Sequence, residues 1–221
     1  MKRVAILAGL VAALLSGVVA IAQDKPAATD NGWTVAKKVE IKDTKLPKEW
    51  SVLAGDVEVK DGAIIMKAGD GECSILLTSP KMPNGVKVEF DGTLTGDEIC
   101  DMTAFLNAGE DGFASGYLVQ FAGDANKQNR LRKEGEIVES TVCDKPLATA
   151  GKKAHVVAAN DGGVISLSVD GKKVFEYKDP KPLSGDAHSL VGFYTYGCTL
   201  KVENVVVSAK GTPAPAAPAA K

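Results

Sequence analysis

Between Gly116 and Arg132 the chain gathers Gln120, Asn126, Gln128, Asn129, Arg130 and Arg132. Amide and guanidinium groups are planar and hold several donors in fixed geometry, which suits neighbouring hydroxyls on one ligand. Tyr194 and Tyr196 stand two apart, so on a strand they share a face. There they could stack on a sugar ring and keep their hydroxyls wet. Gln120, Asn129, Arg130, Tyr194 and Tyr196 are therefore the candidate ligand-binding residues. The competing account is structural: Arg130 and Arg132 pair with Glu134, Glu136 or Asp124 at a sheet edge, and the tyrosines belong to the core.

Catalytic chemistry has less to stand on. The two histidines, His155 and His188, have no serine or cysteine elbow beside them, and no catalytic residue is singled out. The run Asp124 to Asn129 offers oxygen ligands at alternate positions and could hold calcium through loop carbonyls. It lacks the sharp-turn glycine and distal glutamate of an EF-hand loop, so a structural turn is preferred and no cofactor is expected.

These residues need a frame, and the punctuation of the chain supplies one. Asp61-Gly62, Asn84-Gly85, Asp91-Gly92, Asp161-Gly162-Gly163 and Asp170-Gly171 each sit beside alternating apolar runs. Such pairs readily adopt the positive φ angles of tight hairpins. Tyr117, Val119 and Phe121 alternate with Leu118 and Gln120; Val86, Val88 and Phe90 alternate with Lys87, Glu89 and Asp91. Glu136 to Val142 is expected to pair with Asn129 to Lys133, and Ala154 to Ala159 with Val164 to Val169. Val191 to Tyr196 and Thr199 to Val207 are expected to close the sheet. No sustained helical period appears, so the fold class is all-β, a two-sheet antiparallel sandwich or jelly roll.

The ends differ in kind from this frame. Met1-Lys2-Arg3, an apolar run from Val4 to Val19 and the small-x-small box Ala20-Ile21-Ala22 resemble an export leader over residues 1–22. The polar segment 23–32 is a linker, 33–210 the sandwich domain, and 211–221 an alanine/proline tail without large apolar groups to bury. The protein is expected to be exported, periplasmic or extracellular, with no membrane span in the mature chain. With 26 basic against 28 acidic residues the net charge is −2, and loss of Lys2 and Arg3 makes the mature chain more acidic. That argues against a nucleic-acid partner. Four cysteines in an exported chain suggest two disulfides. Cys100 with Cys143 and Cys73 with Cys198 is the pairing preferred among three.

From Trp50 to Val207 the chain resembles the concanavalin A-like jelly-roll superfamily, with its laminin-G-like and three-keto-disaccharide-hydrolase-like branches. The resemblance rests on Trp50-Ser51-Val52 with Lys60-Asp61-Gly62-Ala63-Ile64, on Gly116 to Phe121 with Asn129-Arg130-Leu131, on Val164 to Gly171, and on Gly192-Phe193-Tyr194-Thr195 with Val202 to Val207. It implies two curved sheets and a glycan ligand on the concave face or rim. It covers the domain but specifies fold better than activity. The related hydrolases carry E-x-D-x-x-E. Here Glu89-Phe90-Asp91 gives only the first half, and Glu98 to Asp101 has another spacing.

The leading expectation is a secreted, noncatalytic binder of carbohydrate or another extracellular polymer. The alternatives are a glycoside-acting hydrolase using Asp101 or Glu110 beside Gln120 and Arg130, and an envelope or matrix structural module.

Overall fold

A computed structural model describes residues 32–41 and 44–211. The expected leader, most of the linker and nearly all of the alanine/proline tail lie outside the described residues. Fifteen strands run in the order β1 (Trp33–Lys38), β2 (Trp50–Ala54), β3 (Asp56–Lys60), β4 (Ala63–Lys67), β5 (Glu72–Leu77), β6 (Val86–Thr95), β7 (Met102–Ala108), β8 (Tyr117–Ala122), β9 (Gln128–Lys133), β10 (Glu136–Val142), β11 (Lys153–Asp161), β12 (Val164–Val169), β13 (Lys172–Lys178), β14 (Leu190–Tyr196) and β15 (Thr199–Lys210).

They form two antiparallel sheets. The site sheet has the order β10-β9-β8-β7-β14-β5-β2; the back sheet has β13-β12-β11-β6-β15-β4-β3, with β1 also paired to β15. Three hairpins share one turn chemistry. Asp61-Gly62 joins β3 to β4, Glu134-Gly135 joins β9 to β10, and Asp170-Gly171 joins β12 to β13. All six residues have positive φ, the geometry whose twist matches the flanking strands. The sequence pattern called for two of these turns directly; at the third, Glu134 accepts a φ of 49° that favours smaller residues.

The core lies between the sheets. Ile64, Val88 and Phe90 of the back sheet meet Ile75, Val119 and Phe193 of the site sheet, all 0 or 1 % exposed. Phe193 stacks on Trp50 at 5.6 Å between centroids and meets Phe90 edge-on at 4.8 Å, so the aromatic contacts span both layers. Burying each such side chain stabilises the fold by roughly 1.5–3 kcal/mol. Tyr117, the largest fully buried side chain, carries a polar tip inward and keeps it satisfied. Its hydroxyl donates to Asp179 Oδ2 at 2.5 Å and accepts from the Leu183 N–H at 2.9 Å. Lys133 Nζ lies 2.8 Å from the same carboxylate.

Two expectations about pairing need correction. β14 and β15 are separated by a short turn, yet they do not pair. β14 lies between β7 and β5 in the site sheet, and β15 joins β6, β4 and β1 in the back sheet. The turn at Gly197, with φ at 68°, carries the chain from one layer to the other. The cysteines are also not disulfide-bonded: Cys73, Cys100, Cys143 and Cys198 are all free thiols. Cys73 Sγ donates to Asp56 O at 3.6 Å, whereas Cys198 Sγ donates to Cys100 O at 2.6 Å. Layer packing sets Cys198 beside Cys100, not the Cys73 partner favoured from sequence. Among the described residues, no helix is long and apolar enough to cross a membrane.

Candidate functional site

The outer face of the site sheet is organised by register. Directly opposed residues on antiparallel strands share a face. Ser74 faces Tyr194, Tyr194 faces Thr103, Thr103 faces Gln120, and Gln120 faces Arg130. One polar row therefore crosses five strands. The neighbouring row, Leu76, Gly192, Phe105 and Leu118, is apolar until it ends on Arg132. Gly192 is required in that row, because a Cβ there would collide with the Ile75 carbonyl and the Phe105 ring. Leu76, Phe105 and Leu118 form a second small apolar cluster, with Phe113 and Tyr194 packed against it. A wet row beside a greasy row is what a sugar needs, since a sugar has hydroxyl edges and apolar ring faces.

Over these rows lies a cavity of about 650 Å³. Gln120, Arg130, Arg132, Asp101, Tyr194 and Phe113 line it, with Tyr196 at one side. Phe113 meets Tyr194 edge-on at 4.7 Å, which holds the ring of Tyr194 in place. Asp101 is buried and receives Gln120 Nε2 at 2.8 Å on Oδ2. Burial, and after it the Cys198 thiol, push this carboxyl up to about 7; Gln120, the Tyr196 N–H and Arg130 oppose the rise. Burial likewise raises the Tyr194 hydroxyl above its ordinary value, with Asp101 adding to it and Arg132 opposing.

The wall is under-satisfied. Asp101 Oδ1, Gln120 Oε1, Arg130 Nε and Arg132 Nε are buried atoms with no hydrogen-bond partner. Neither arginine forms an ion pair among the described residues; the expected partners at the sheet edge do not take them up. Orphaned polar atoms are uncommon in folded proteins, and here four of them border one cavity. Thr103 Oγ1 and Ser74 Oγ, from the same polar row but outside the cavity lining, are also buried without a partner.

The turn Gly123–Asn126 closes one edge. Ala122, Asp124, Ala125 and Asn126 all have positive φ, between 49° and 64°. Non-glycine residues resist that region, at about 1–2 kcal/mol each, and such strain tends to collect at ligand sites. Asn126 holds the turn: its Oδ1 accepts from the Leu147 and Ala148 N–H groups and its Nδ2 donates to Ala148 O. Asp124 Oδ2 accepts from Gln128 Nε2 at 2.6 Å. The turn also brings Gly123 against Arg130, where a Cβ would lie 3.2 Å from Nη2.

Of the five candidate residues, Gln120, Arg130, Tyr194 and Tyr196 converge on this cavity. Asn129 does not. It points to the inner side of β9, is 4 % exposed, and its Oδ1 accepts from the Ala122 N–H at 3.3 Å. Alternation along β9, with Asn129 and Leu131 inside and Arg130 and Arg132 outside, carries that information. Arg132 and Phe113 also line the cavity without having been among the candidate binding residues, and Asp101 had a place only in the hydrolase alternative. Arg132 was legible by the same parity; Phe113 and Asp101 enter from loops, where no period applies. Glu110 is exposed outside the cavity lining, and Glu89 and Asp91 belong to the back sheet. His155 Nδ1 lies 2.9 Å from Asp91 Oδ1 and His188 Nδ1 3.0 Å from Ser115 O, so neither faces the cavity.

No protein-family model and no curated protein sequence matches the chain. Among solved structures, a carbohydrate-binding module, CBM66 from Bacillus subtilis, superposes with a TM-score of 0.60 at 15% identity over 73% of this chain and 96% of its own. The carbohydrate recognition domain of Emp47p gives 0.57 at 12% identity, covering 84% of this chain and 100% of its own. An endo-beta-1,3-glucanase from Pyrococcus furiosus gives 0.57 at 11% identity, covering 80% and 94%. At such identities the likeness is one of fold: the chain folds as a two-sheet antiparallel jelly-roll β-sandwich.

Proposed function

We propose that the protein is exported and binds carbohydrate, free or in an extracellular polymer, in the cavity on the outer face of its site sheet, without catalysis. One observation carries this. Gln120, Arg130 and Arg132 bring amide and guanidinium groups, each with one buried atom that has no internal hydrogen-bond partner, to the same cavity that Tyr194 and Phe113 line with rings. A carbohydrate would satisfy the first set through its hydroxyls and cover the second with a ring face. The likeness to a carbohydrate-binding module and a carbohydrate recognition domain supports the reading. It calls for no cofactor, and the acidic composition leaves nucleic acid an unsuitable partner.

The test is an array of plant, algal and bacterial glycans probed with wild type and Tyr194→Ala. Wild type is expected to retain a glycan that the variant loses by roughly tenfold, about 1.4 kcal/mol, at a temperature well below the Tm of both proteins. No retention of any glycan contradicts the proposal.

Asp101 favours a second reading, a glycoside-acting hydrolase. A buried carboxyl held near pH 7 at a cavity wall is suited to protonate a leaving oxygen. Glu98 and Asp124 are the other carboxylates on the lining. Release of new reducing ends from a bound glycan, abolished by Asp101→Asn, would favour this reading over simple binding.

A further inference from the structure

The geometry points to an acidic carbohydrate as the ligand, one whose carboxylate or sulfate ester is held between Arg130 and Arg132. This rests on the binding reading above and adds the charge of what is bound. Arg130 and Arg132 stand two apart on β9, so both guanidinium groups leave the same face of the sheet. Both are half-buried, both line the cavity, and the Nε of each is enclosed without a partner. No carboxylate among the described residues pairs with either.

The three carboxylates on the lining, Glu98, Asp101 and Asp124, form no ion pair with either arginine. Asp124 is tied to Gln128 at 2.6 Å and is exposed at the rim, as is Glu98. Asp101 faces Arg130 but is shared with Gln120, and burial keeps it protonated through the acid range. Two half-buried guanidinium groups without a counter-charge are costly to hold, and an incoming anion removes that cost with forked, charge-assisted hydrogen bonds. A neutral sugar would satisfy single N–H groups but leave both charges uncompensated. Gln120 and Asp101 line the same cavity beside the arginines, each with one buried oxygen that has no internal partner. Tyr194 and Phe113 lie across from them to cover the apolar face.

The experiment uses the exported chain and matched pairs of probes: polygalacturonate against its fully methyl-esterified form, and dextran sulfate against dextran. Affinity is measured for wild type, Arg130→Gln/Arg132→Gln and Lys172→Gln, which removes a charge from the exposed back-sheet strand β13. Wild type is expected to prefer at least one acidic probe over its neutral partner by about tenfold or more, and the double arginine variant to abolish that preference while Lys172→Gln keeps it. A preference for polygalacturonate identifies a carboxylate, and one for dextran sulfate a sulfate ester. Equal binding to a neutral and an acidic partner overturns the inference and leaves carbohydrate binding standing. An acidic preference untouched in the double arginine variant overturns it as well. Failure of every probe and of the glycan array overturns both. Should the double variant fail to fold, competition by free galacturonate or sulfate against wild type decides: displacement supports the anion site, and none contradicts it.

Discussion

Asp101 has the most consequential environment of any single side chain in the cavity. Its folded pKa is raised from 3.8 to about 7, first by burial and then by the Cys198 thiol. Gln120, the Tyr196 N–H, Arg130, Tyr194 and the Cys100 thiol complete the groups around it. The sign follows from proton uptake. Between the unfolded value near 4 and the folded value near 7, the folded chain holds a proton that the unfolded chain has lost. Stability therefore falls as pH rises through that window and levels off above it, with a slope of at most about 1.4 kcal/mol per pH unit. Asp179 behaves oppositely. Burial works against its charge, but Lys133 and Tyr117 outweigh it and hold the carboxyl below its ordinary value. Its contribution is present above pH 4 and disappears as pH falls through the lowered folded value. Asp101→Asn should flatten the fall between pH 4 and 7, read from denaturant midpoints across that range. A slope unchanged by the substitution would show that Asp101 titrates normally.

At the scale of elements, β8 and β9 carry most of the site on one face and most of its support on the other. Gln120, Arg130 and Arg132 face the cavity; Tyr117, Val119 and Leu131 face the core. The anchor on the inner side is the Tyr117–Asp179–Lys133 network, which ties both strands to the segment ending at Leu183. Tyr117→Phe removes the hydroxyl and leaves a buried N–H of Leu183 without its partner. Its expected cost is about 1–3 kcal/mol of unfolding free energy, measured by urea denaturation. Because the change is behind the sheet, glycan affinity should hold below the transition. A loss well under that range would mean that Lys133 alone supports Asp179. The strained turn Gly123–Asn126 acts on the other edge, where it sets Arg130 against Gly123.

For the molecule as a whole, most local patterns were readable, except that Asp91-Gly92 lies inside β6 and makes no turn, and long-range assembly was not. The alternation of Tyr117, Val119 and Phe121 against Leu118 and Gln120 correctly separated the face toward the sandwich core from the face toward the cavity, because successive strand residues point to opposite sides, although all six residues of β8 are buried. Asp61-Gly62 and Asp170-Gly171 named their turns, because few other pairs accept positive φ. β14 and β15 misled. A short turn between apolar runs looks like a hairpin, and only packing decides that the chain crosses between layers at Gly197. β1 was passed over for a related reason: Trp33–Lys38 is mostly half-exposed and is defined by its partner, the far end of β15, not by its own pattern. The cysteine neighbours depend on the same layer crossing. The cavity gathers residues from β8, β9, β14 and four connections between strands, so its strand residues were legible by type and parity, while Phe113 was not and Asp101 was named only for the hydrolase alternative.

The most direct test of the central claim is an amide and arginine-Nε NMR titration with oligogalacturonate or whichever glycan the array retains. The account predicts that the Nε–H signals of Arg130 and Arg132, unpartnered in the free protein, shift together with the Gln120 side-chain amide and the Tyr194 backbone amide. Shifts confined to the back sheet, or binding that leaves both arginine signals where they were, would contradict it.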